Sequence, residues 1–175
     1  MSSPSHISPD TELAIQLNFD KKKNSKWAYQ DAWAKLLTPY PWEWFVTLTF
    51  SEDVHPEAAN KLWRLWVSQL GNQLHGKRQK AKKLVWICAT EKQKSGRIHF
   101  HALLIGVKQA RRLSWMDHWE GLGRCTGYAR IEEVKTVQGA SRYICKYLAK
   151  DGEIDWSNNF RNLLIDLFPE MEPSE

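Results

Sequence analysis

Two histidines, His99 and His101, are separated by one residue in the apolar segment Ile-His-Phe-His-Ala-Leu-Leu-Ile at residues 98–105. In a β-strand alternate side chains share a face, so both imidazoles point the same way, roughly 6.5–7 Å apart along the strand. Imidazole nitrogens are frequent ligands of divalent metal ions. The pair therefore indicates a metal site; the alternative is two histidines with ordinary hydrogen bonds near the core.

A carboxylate reaches the same face from the neighbouring strand. Residues 84–91 also have a strand pattern, and a polar turn that contains Ser95 and Gly96 follows them. If the two strands pair around this turn, Glu91 faces His99, and facing residues of an antiparallel pair lie on one side. Two neutral imidazoles and one carboxylate leave coordination positions open, which suits Mg²⁺ or Mn²⁺ better than Zn²⁺. The expected ligands are Glu91, His99 and His101.

A second group of reactive residues lies further along the chain, where Tyr143, Lys146, Tyr147 and Lys150 follow the spacing of one helix face. A tyrosine oxygen can attack a phosphodiester, and a nearby cation lowers the phenol pKa and offsets phosphate charge. The alternative is an amphipathic helix whose Tyr and Lys side chains extend along the surface. An apolar stripe beside these residues would dock the helix on a sheet.

Hydrophobic periodicity predicts the elements that must position both groups. The pattern predicts strands at residues 44–50, 84–91, 98–106 and 128–134, and helices at 24–37, 56–75, 110–119 and 137–150. After the first helix, this order matches a ferredoxin-like α+β sandwich, a central antiparallel sheet with helices on one face. We expect an N-terminal tail at residues 1–20, one domain at 21–155 and an acidic segment at 156–175.

Charge and composition indicate an intracellular protein with a polyanionic partner. The net charge is +5, but residues 21–150 carry 24 basic and 10 acidic residues, a balance typical of nucleic-acid binding. No apolar run approaches the length of a membrane span, and the N-terminus lacks a signal-peptide pattern. Three cysteines without paired spacing indicate reduced thiols. We therefore expect a cytoplasmic protein without a membrane partner.

Basic and aromatic residues suggest where DNA would lie. The expected phosphate contacts fall in two clusters, one before the second strand and one in the turn beside the histidines: Lys77, Arg78, Lys80, Lys82 and Lys83, and Lys92, Lys94 and Arg97. Helical spacing places Trp63 and Trp66 in the core. Four other tryptophans remain open as residues that stack on bases, namely Trp42, Trp44, Trp115 and Trp119.

Three segments together resemble the HUH endonucleases, the replication initiators of rolling-circle plasmids and phages. Phe-Val-Thr-Leu-Thr-Phe at residues 45–50 is similar to the family's first motif, and Gly-Arg-Ile-His-Phe-His-Ala-Leu-Leu at 96–104 to its second. Residues 143–150 match the third motif, Tyr-x-x-Lys-Tyr-x-x-Lys. In this family an acid eight residues before the first histidine often supplies a third metal ligand, and Glu91 occupies that position.

The resemblance implies an activity and a role for each site residue. It implies recognition of a single-stranded or hairpin origin, and cleavage that leaves a 3′-hydroxyl and a 5′-phosphotyrosine. Tyr147 is then the main nucleophile and Tyr143 the second, while Lys146 and Lys150 orient the metal or the scissile phosphate. Since attack needs metal and tyrosine on opposite sides of one phosphate, the tyrosine helix must cover the histidine face.

The resemblance also sets the expected partners. Many initiators carry a helicase domain after the nuclease, and none is found in this sequence. Either a host helicase is recruited, so that a host helicase and polymerase are expected partners, or the sequence is a fragment of a longer protein. Residues 71–78 are similar to a phosphate-binding loop, but Arg78 stands where Ser or Thr is needed. No nucleotide cofactor is therefore expected. The alternatives are a transposase or relaxase of the same superfamily, a DNA-binding derivative without catalysis, and a zinc-stabilised structural domain, which would lack a fourth ligand.

Overall fold

The computed structural model of the protein describes residues 26–148 and 153–160. Every element that the sequence predicts is present, with end points that differ by a few residues at most sites. The helices are α1 (Lys26–Leu37), α2 (Pro56–Lys83), α3 (Arg112–Glu120) and α4 (Val137–Leu148). The strands are β1 (Trp44–Phe50), β2 (Val85–Lys92), β3 (Ile98–Ile105), β4 (Thr126–Glu133) and β5 (Ile154–Trp156). The expected tail at 1–20 and most of the acidic segment lie outside the described residues.

The five strands form one antiparallel sheet in the order β4-β1-β3-β2-β5, with β3 at its centre. The first four strands, with α2 and α3, have the βαββαβ order of the ferredoxin-like α+β sandwich. The predicted fold class is therefore confirmed. β5 was not predicted, because its three residues are too few to show an alternating pattern. It pairs with β2 and covers what would otherwise be an open edge.

Helices cover both faces of this sheet, so the expectation of helices on one face is wrong. On one face α2 and α3 bury Trp63 and Trp119 against β1 and β3. On the other face α1 and α4 pack against Ile87 and Leu103. The physical reason is that the strands are apolar on both sides, and a sheet needs a cover for each apolar face. As expected, α4 lies on the face that carries the histidines.

The tryptophans belong to the core. Trp63 and Trp66 are buried as predicted, and Trp63 stacks on Trp66 with 5.8 Å between ring centroids. The tryptophans left open for base stacking are buried too, with at most 5% of any of them exposed: Trp42, Trp44, Trp115 and Trp119. Their rings fill the two layers between the sheet and the helices, so none of the four is accessible for stacking on a base.

The chain reverses within α2. The predicted helix ends near His75, whereas helical residues continue to Lys83 beyond Gly76, whose φ is 72° and ψ is 160°. The ammonium of Lys80 donates a hydrogen bond of 2.7 Å to the hydroxyl of Ser68. Twelve residues of straight helix would separate these positions by about 18 Å. The segment after Gly76 therefore folds back along the helix before it.

Gly106, directly after β3, approaches the backbone at the end of α2. Its φ is 84°, and a Cβ there would lie well inside van der Waals contact with the carbonyl oxygen of Lys83. At Gly76 φ is also positive, but nothing lies within 4 Å of an added Cβ. The two glycines thus share a conformation that L-residues avoid, and only one of them has no room for a side chain.

We predict that Gly106→Ala lowers the free energy of unfolding more than Gly76→Ala. Both changes strain a backbone region that only glycine adopts readily, which costs roughly 1–3 kcal/mol. Gly106→Ala adds the overlap with Lys83, a further cost of about 1–3 kcal/mol. Urea unfolding followed by circular dichroism measures both. Equal losses would show that the two chain segments are not in contact at Gly106.

We predict that Cys125 is the fastest of the three thiols to react with a disulfide reagent in the native protein. Cys88 and Cys145 are each 1% exposed, whereas Cys125 is partly exposed. Burial raises the pKa of Cys145 to about 12 and that of Cys88 well above its ordinary value, so both stay as unreactive thiols. Peptide mapping after a brief exposure to the reagent should find label on Cys125, and early label on Cys145 would contradict the packing of α4.

Candidate metal and tyrosine site

The hairpin of β2 and β3 brings together the three expected metal ligands. Glu91 pairs with His99 and Ala89 with His101, the register that the sequence predicted. One ligand atom from each of Glu91, His99 and His101 lies within 4.8 Å of the others. A carboxylate and two imidazoles form a donor set that divalent cations accept, so the cluster could bind a metal ion.

His101 is held between two neighbours on adjacent strands. Its Nε2 lies 3.0 Å from Oε2 of Glu91, and the two side chains are 6% and 15% exposed. Its Nδ1 lies 3.3 Å from the hydroxyl of Thr47, which faces it across the β1–β3 pair. When Nδ1 carries the proton, it donates to the Thr47 hydroxyl, and Nε2 is left with its lone pair toward the cluster. Thr47 therefore orients His101.

His99 is the more accessible imidazole of the pair. Its Nδ1 lies 3.1 Å from Nε2 of Gln93, in the turn between the strands. Burial lowers the pKa of His99; the carboxylate of Glu91 opposes this shift, and the guanidinium of Arg97 adds to it. The neutral imidazole that results is the form that binds a metal ion.

The tyrosine helix lies directly on the histidines. The ring of Tyr147 stacks on that of His101, with 3.5 Å between centroids and 14° between planes. The hydroxyl of Tyr147 donates a hydrogen bond of 3.1 Å to the hydroxyl of Tyr143. The ring of Tyr143 in turn packs edge-on against Phe45, at 5.2 Å between centroids. Two phenol oxygens, 3.1 Å apart, thus lie next to the possible metal ligands.

Comparison with known proteins gives the family. Residues 43–152 match the family of the replication-associated protein ORF2, a range that contains the Glu91 cluster and α4. The chain belongs to this family. Among solved structures, the hypothetical protein ORF119 from Sulfolobus islandicus rod-shaped virus 1 is similar, at 18% identity and a TM-score of 0.45. That match covers 69% of this chain and 94% of the viral protein, and no curated protein matches significantly. No helix in the described ranges is both long and apolar enough to cross a membrane.

In this replication-associated protein the pKa of Tyr147 is raised above its ordinary value, whereas a lowered pKa was expected. Burial is the largest cause, followed by the hydrogen bond to Tyr143 and the negative charges of Tyr143 and Glu91. Lys146 was expected to lower the pKa of Tyr147, but its ammonium lies over the ring of Tyr143, 4.9 Å from the ring centroid. Lys150, the second expected cation, lies outside the described residues.

The first basic cluster lies at the far end of the sheet from the site. Lys77, Arg78 and Lys83 are exposed in the segment after Gly76, which leads into Val85 at the start of β2. Glu91 stands six residues further along β2, about 20 Å away. The Lys80 ammonium donates a hydrogen bond to Ser68, and the side chain of Lys82 lies outside the described part of the protein. The structure does not bring this cluster to the histidines, and DNA contact there stays a prediction.

The second basic cluster lies beside the site. Lys92 pairs with Ile98 at the end of the hairpin, and Lys94 and Arg97 are exposed in the turn that follows. The guanidinium of Arg97 is close enough to influence the pKa of His99. Arg97 therefore lies close to the candidate metal ligands, whereas Lys92 faces Ile98 and so lies on the opposite face of the sheet. Phosphate contact by these three residues stays a prediction.

Thr47 and Gln93 contact the two histidines, and neither was predicted as a site residue. The signal was available for Thr47, because Thr47 and Thr49 are the two polar residues in an otherwise apolar strand at residues 45–50. Their alternation places both on the histidine face. Gln93 lies in a polar turn, where nothing in the local sequence distinguishes it from its neighbours.

We predict that Thr47→Val weakens Mn²⁺ binding by about 10- to 100-fold, the usual effect of losing the partner that orients a ligating histidine. Valine keeps the shape of threonine but removes the oxygen that faces Nδ1 of His101. Isothermal titration calorimetry at constant pH measures the affinity, with His101→Ala as the variant that loses a ligand. Thr49→Val is the matched control, because Thr49 lies on the same strand face and bonds to the carbonyl of Tyr128 instead. Equal affinities for both valine variants would contradict the role of Thr47.

Proposed function

We propose that this protein is an HUH endonuclease that nicks and rejoins single-stranded DNA through a covalent 5′-phosphotyrosine, and so initiates rolling-circle replication. The observation that carries the proposal is the stack of Tyr147 on His101 at 3.5 Å. The stack brings a phenol into contact with the candidate metal cluster, and a tyrosine beside a metal ion is a pairing that phosphoryl transfer can use, which supports the proposal. Membership of a replication-associated family agrees with this chemistry.

Glu91, His99 and His101 would hold one divalent ion, Mg²⁺ or Mn²⁺ rather than Zn²⁺. Three protein ligands leave coordination positions for a phosphate oxygen and water, and a structural zinc site would use four. When bound, the ion supplies positive charge to the scissile phosphate and to the departing oxygen. Thr47 and Gln93 keep the two imidazoles in place for this role.

The reaction is a transesterification at phosphorus. The Tyr147 oxygen forms a bond to phosphorus while the bond to the 3′-oxygen breaks, so one phosphodiester replaces another and no energy source is consumed. The departing 3′-oxygen takes a proton from solvent. The phenol proton leaves through the hydrogen bond to Tyr143, which releases its own proton to solvent, since Tyr143 is 45% exposed. Attack of a 3′-hydroxyl on the phosphotyrosine reverses these steps and rejoins the strand.

Tyr143 would act as the second nucleophile. Its oxygen is 3.1 Å from that of Tyr147, so both oxygens lie within reach of the same region of a bound strand. One tyrosine can hold a 5′-end while the other attacks the next junction. Lys146, above the Tyr143 ring, would offset phosphate charge beside it. Lys150 would do the same one turn later in the motif.

The proposed substrate is a single-stranded or hairpin origin. The turn that carries Lys92, Lys94 and Arg97 would contact its phosphates, and Lys77 to Lys83 would contact DNA further from the site. The freed 3′-hydroxyl can prime synthesis by a host polymerase, and a host helicase would separate the strands. Residues 21–155 would form the nuclease domain, acting in the cytoplasm of a prokaryotic host.

We predict that Tyr147→Phe removes the covalent protein–DNA adduct, whereas Tyr143→Phe keeps it. Phenylalanine preserves the stack on His101 and deletes only the attacking oxygen. The assay incubates labelled origin-like single-stranded DNA with the protein and Mn²⁺, and separates the products on a denaturing gel. An adduct that persists in Tyr147→Phe and vanishes in Tyr143→Phe would reverse the two roles.

Two further variants control this experiment. His99→Ala combined with His101→Ala should abolish the adduct, and an adduct that survives would remove the metal from the proposal. Tyr40→Phe should leave the adduct unchanged, because Tyr40 is a buried tyrosine that packs on Trp42 and Phe160 in the core. Binding of DNA without any adduct in the unaltered protein would favour a DNA-binding derivative instead.

A further inference from the structure

A row of side chains crosses the sheet from the candidate metal site to its edge. His99 on β3 faces Thr49 on β1, and the hydroxyl of Thr49 donates a hydrogen bond of 2.8 Å to the carbonyl of Tyr128 on β4. Adjacent strands are about 4.8 Å apart, so Tyr128 lies about 10 Å from His99 across the sheet. Thr47, the neighbour of Thr49 on the same face of β1, faces His101 on β3 and Arg130 on β4.

Tyr128 is a large aromatic residue whose side chain is mostly exposed to solvent. Its exposed fraction is 61%, the highest among the large hydrophobic residues of the described chain. No aromatic contact or hydrogen bond of the Tyr128 side chain is found within residues 26–148 and 153–160. Tyr143, which is also exposed, differs because its ring packs on Phe45 and Tyr147. The ring of Tyr128 thus has free area beside the site.

The strip of sheet that carries Tyr128 is open because α4 packs over β2 and β3. Tyr128 and Arg130 alternate with the buried residues Ala129 and Ile131, which belong to the core on the opposite face. The β1–β4 register shifts between Leu48 and Phe50, next to Tyr128. Such bulges re-aim side chains and are frequent beside active sites. We call the surface formed by Thr47, Thr49, Tyr128 and Arg130 the β1–β4 strip.

We propose that Tyr128 is a base-stacking residue, and that the β1–β4 strip binds nucleotides of the single strand that flanks the scissile phosphate. This proposal rests on the proposed nuclease function. The strip is continuous with the candidate metal site, it carries hydroxyls and a guanidinium, and it ends on an aromatic ring. A purely apolar partner would remove the exposed Arg130 guanidinium from water, whereas a nucleotide presents a flat base to the ring and acceptor oxygens to the polar groups.

The occupant is single-stranded for a physical reason. A tyrosine ring stacks on a base only when that base is free of its neighbours in a duplex, and such stacking tolerates any sequence. Arg130 is paired with Glu132 at 2.8 Å, so its contribution to phosphate binding is smaller than that of an unpaired cation. The ring of Tyr128 should therefore carry most of the binding that the strip provides.

The test compares two fluorescein-labelled strands of equal length, oligothymidylate and an oligomer whose sugar-phosphate backbone carries no bases. Fluorescence anisotropy in EDTA measures their affinities without cleavage. Tyr128→Ala should bind oligothymidylate about 5- to 150-fold more weakly than the unaltered protein, the range seen when a stacking aromatic is removed. Its affinity for the abasic strand should not change. Tyr128→Phe, which keeps the ring, should bind oligothymidylate within about twofold of the unaltered protein.

Leu113→Ala is the matched control, because Leu113 is 60% exposed and lies on α3, whose buried side packs on the opposite face of the sheet. It should leave both affinities unchanged. An unchanged affinity of Tyr128→Ala for oligothymidylate would overturn the proposal, as would an equal loss for the abasic strand, which would indicate a phosphate contact. A change of oligomeric state in Tyr128→Ala during sedimentation would assign the strip to a second copy of the chain and overturn it too.

The gel assay separates this proposal from the nuclease function. A base-dependent loss in Tyr128→Ala, without an adduct in the unaltered protein, would refute the nuclease and keep the stacking surface. An adduct with no effect of Tyr128→Ala on binding would keep the nuclease and refute the stacking residue. No binding of oligothymidylate by the unaltered protein would refute the strip directly.

Discussion

The register in which β2 pairs with β3 places Glu91 opposite His99 and Ala89 opposite His101. Side chains alternate with a period of two, so a slip of one residue would move the Glu91 carboxylate to the other face of the sheet. Both faces of these strands are buried against helices, which makes such a slip costly. The same strand then fixes β1, so that Thr47 meets His101, and it provides the surface on which Tyr147 stacks.

Much of the fold could be predicted because its signals are local. Alternating and helical patterns indicate every strand and helix of the ferredoxin-like core, and a short turn is enough to set the β2–β3 register. The reversal at Gly76 could not be predicted in the same way, because it is defined by contacts between residues far apart in sequence, such as Lys80 with Ser68. β5 was missed for a related reason, since three residues are recognised as a strand only by their partner β2.

In the site too, contacts between residues close in sequence could be predicted, and contacts between distant residues could not. Glu91, His99 and His101 lie in one hairpin, so their proximity follows from the sequence. The contact of Thr47 with His101 depends on how β1 pairs with β3, 54 residues away, and was not predicted. Helical spacing correctly grouped Tyr143, Lys146 and Tyr147 on α4, but it carries no information about which ring the ammonium faces. The pKa of Tyr147 is raised mainly by burial, which depends on how α4 packs on the sheet and not on the spacing within the helix.

The strand order leaves β4 as one of the two outer strands of the described sheet, and an outer strand has backbone groups that another chain can pair with. On β4 the exposed residues after Tyr128 are charged, namely Arg130 and Glu132 on the same face as Tyr128 and Glu133 on the other face. Charged side chains on an outer strand discourage the addition of further strands and hence fibrous aggregation. These charges thus discourage further strands from pairing with the edge that carries the exposed ring of Tyr128, and neutral substitutions there should favour aggregation.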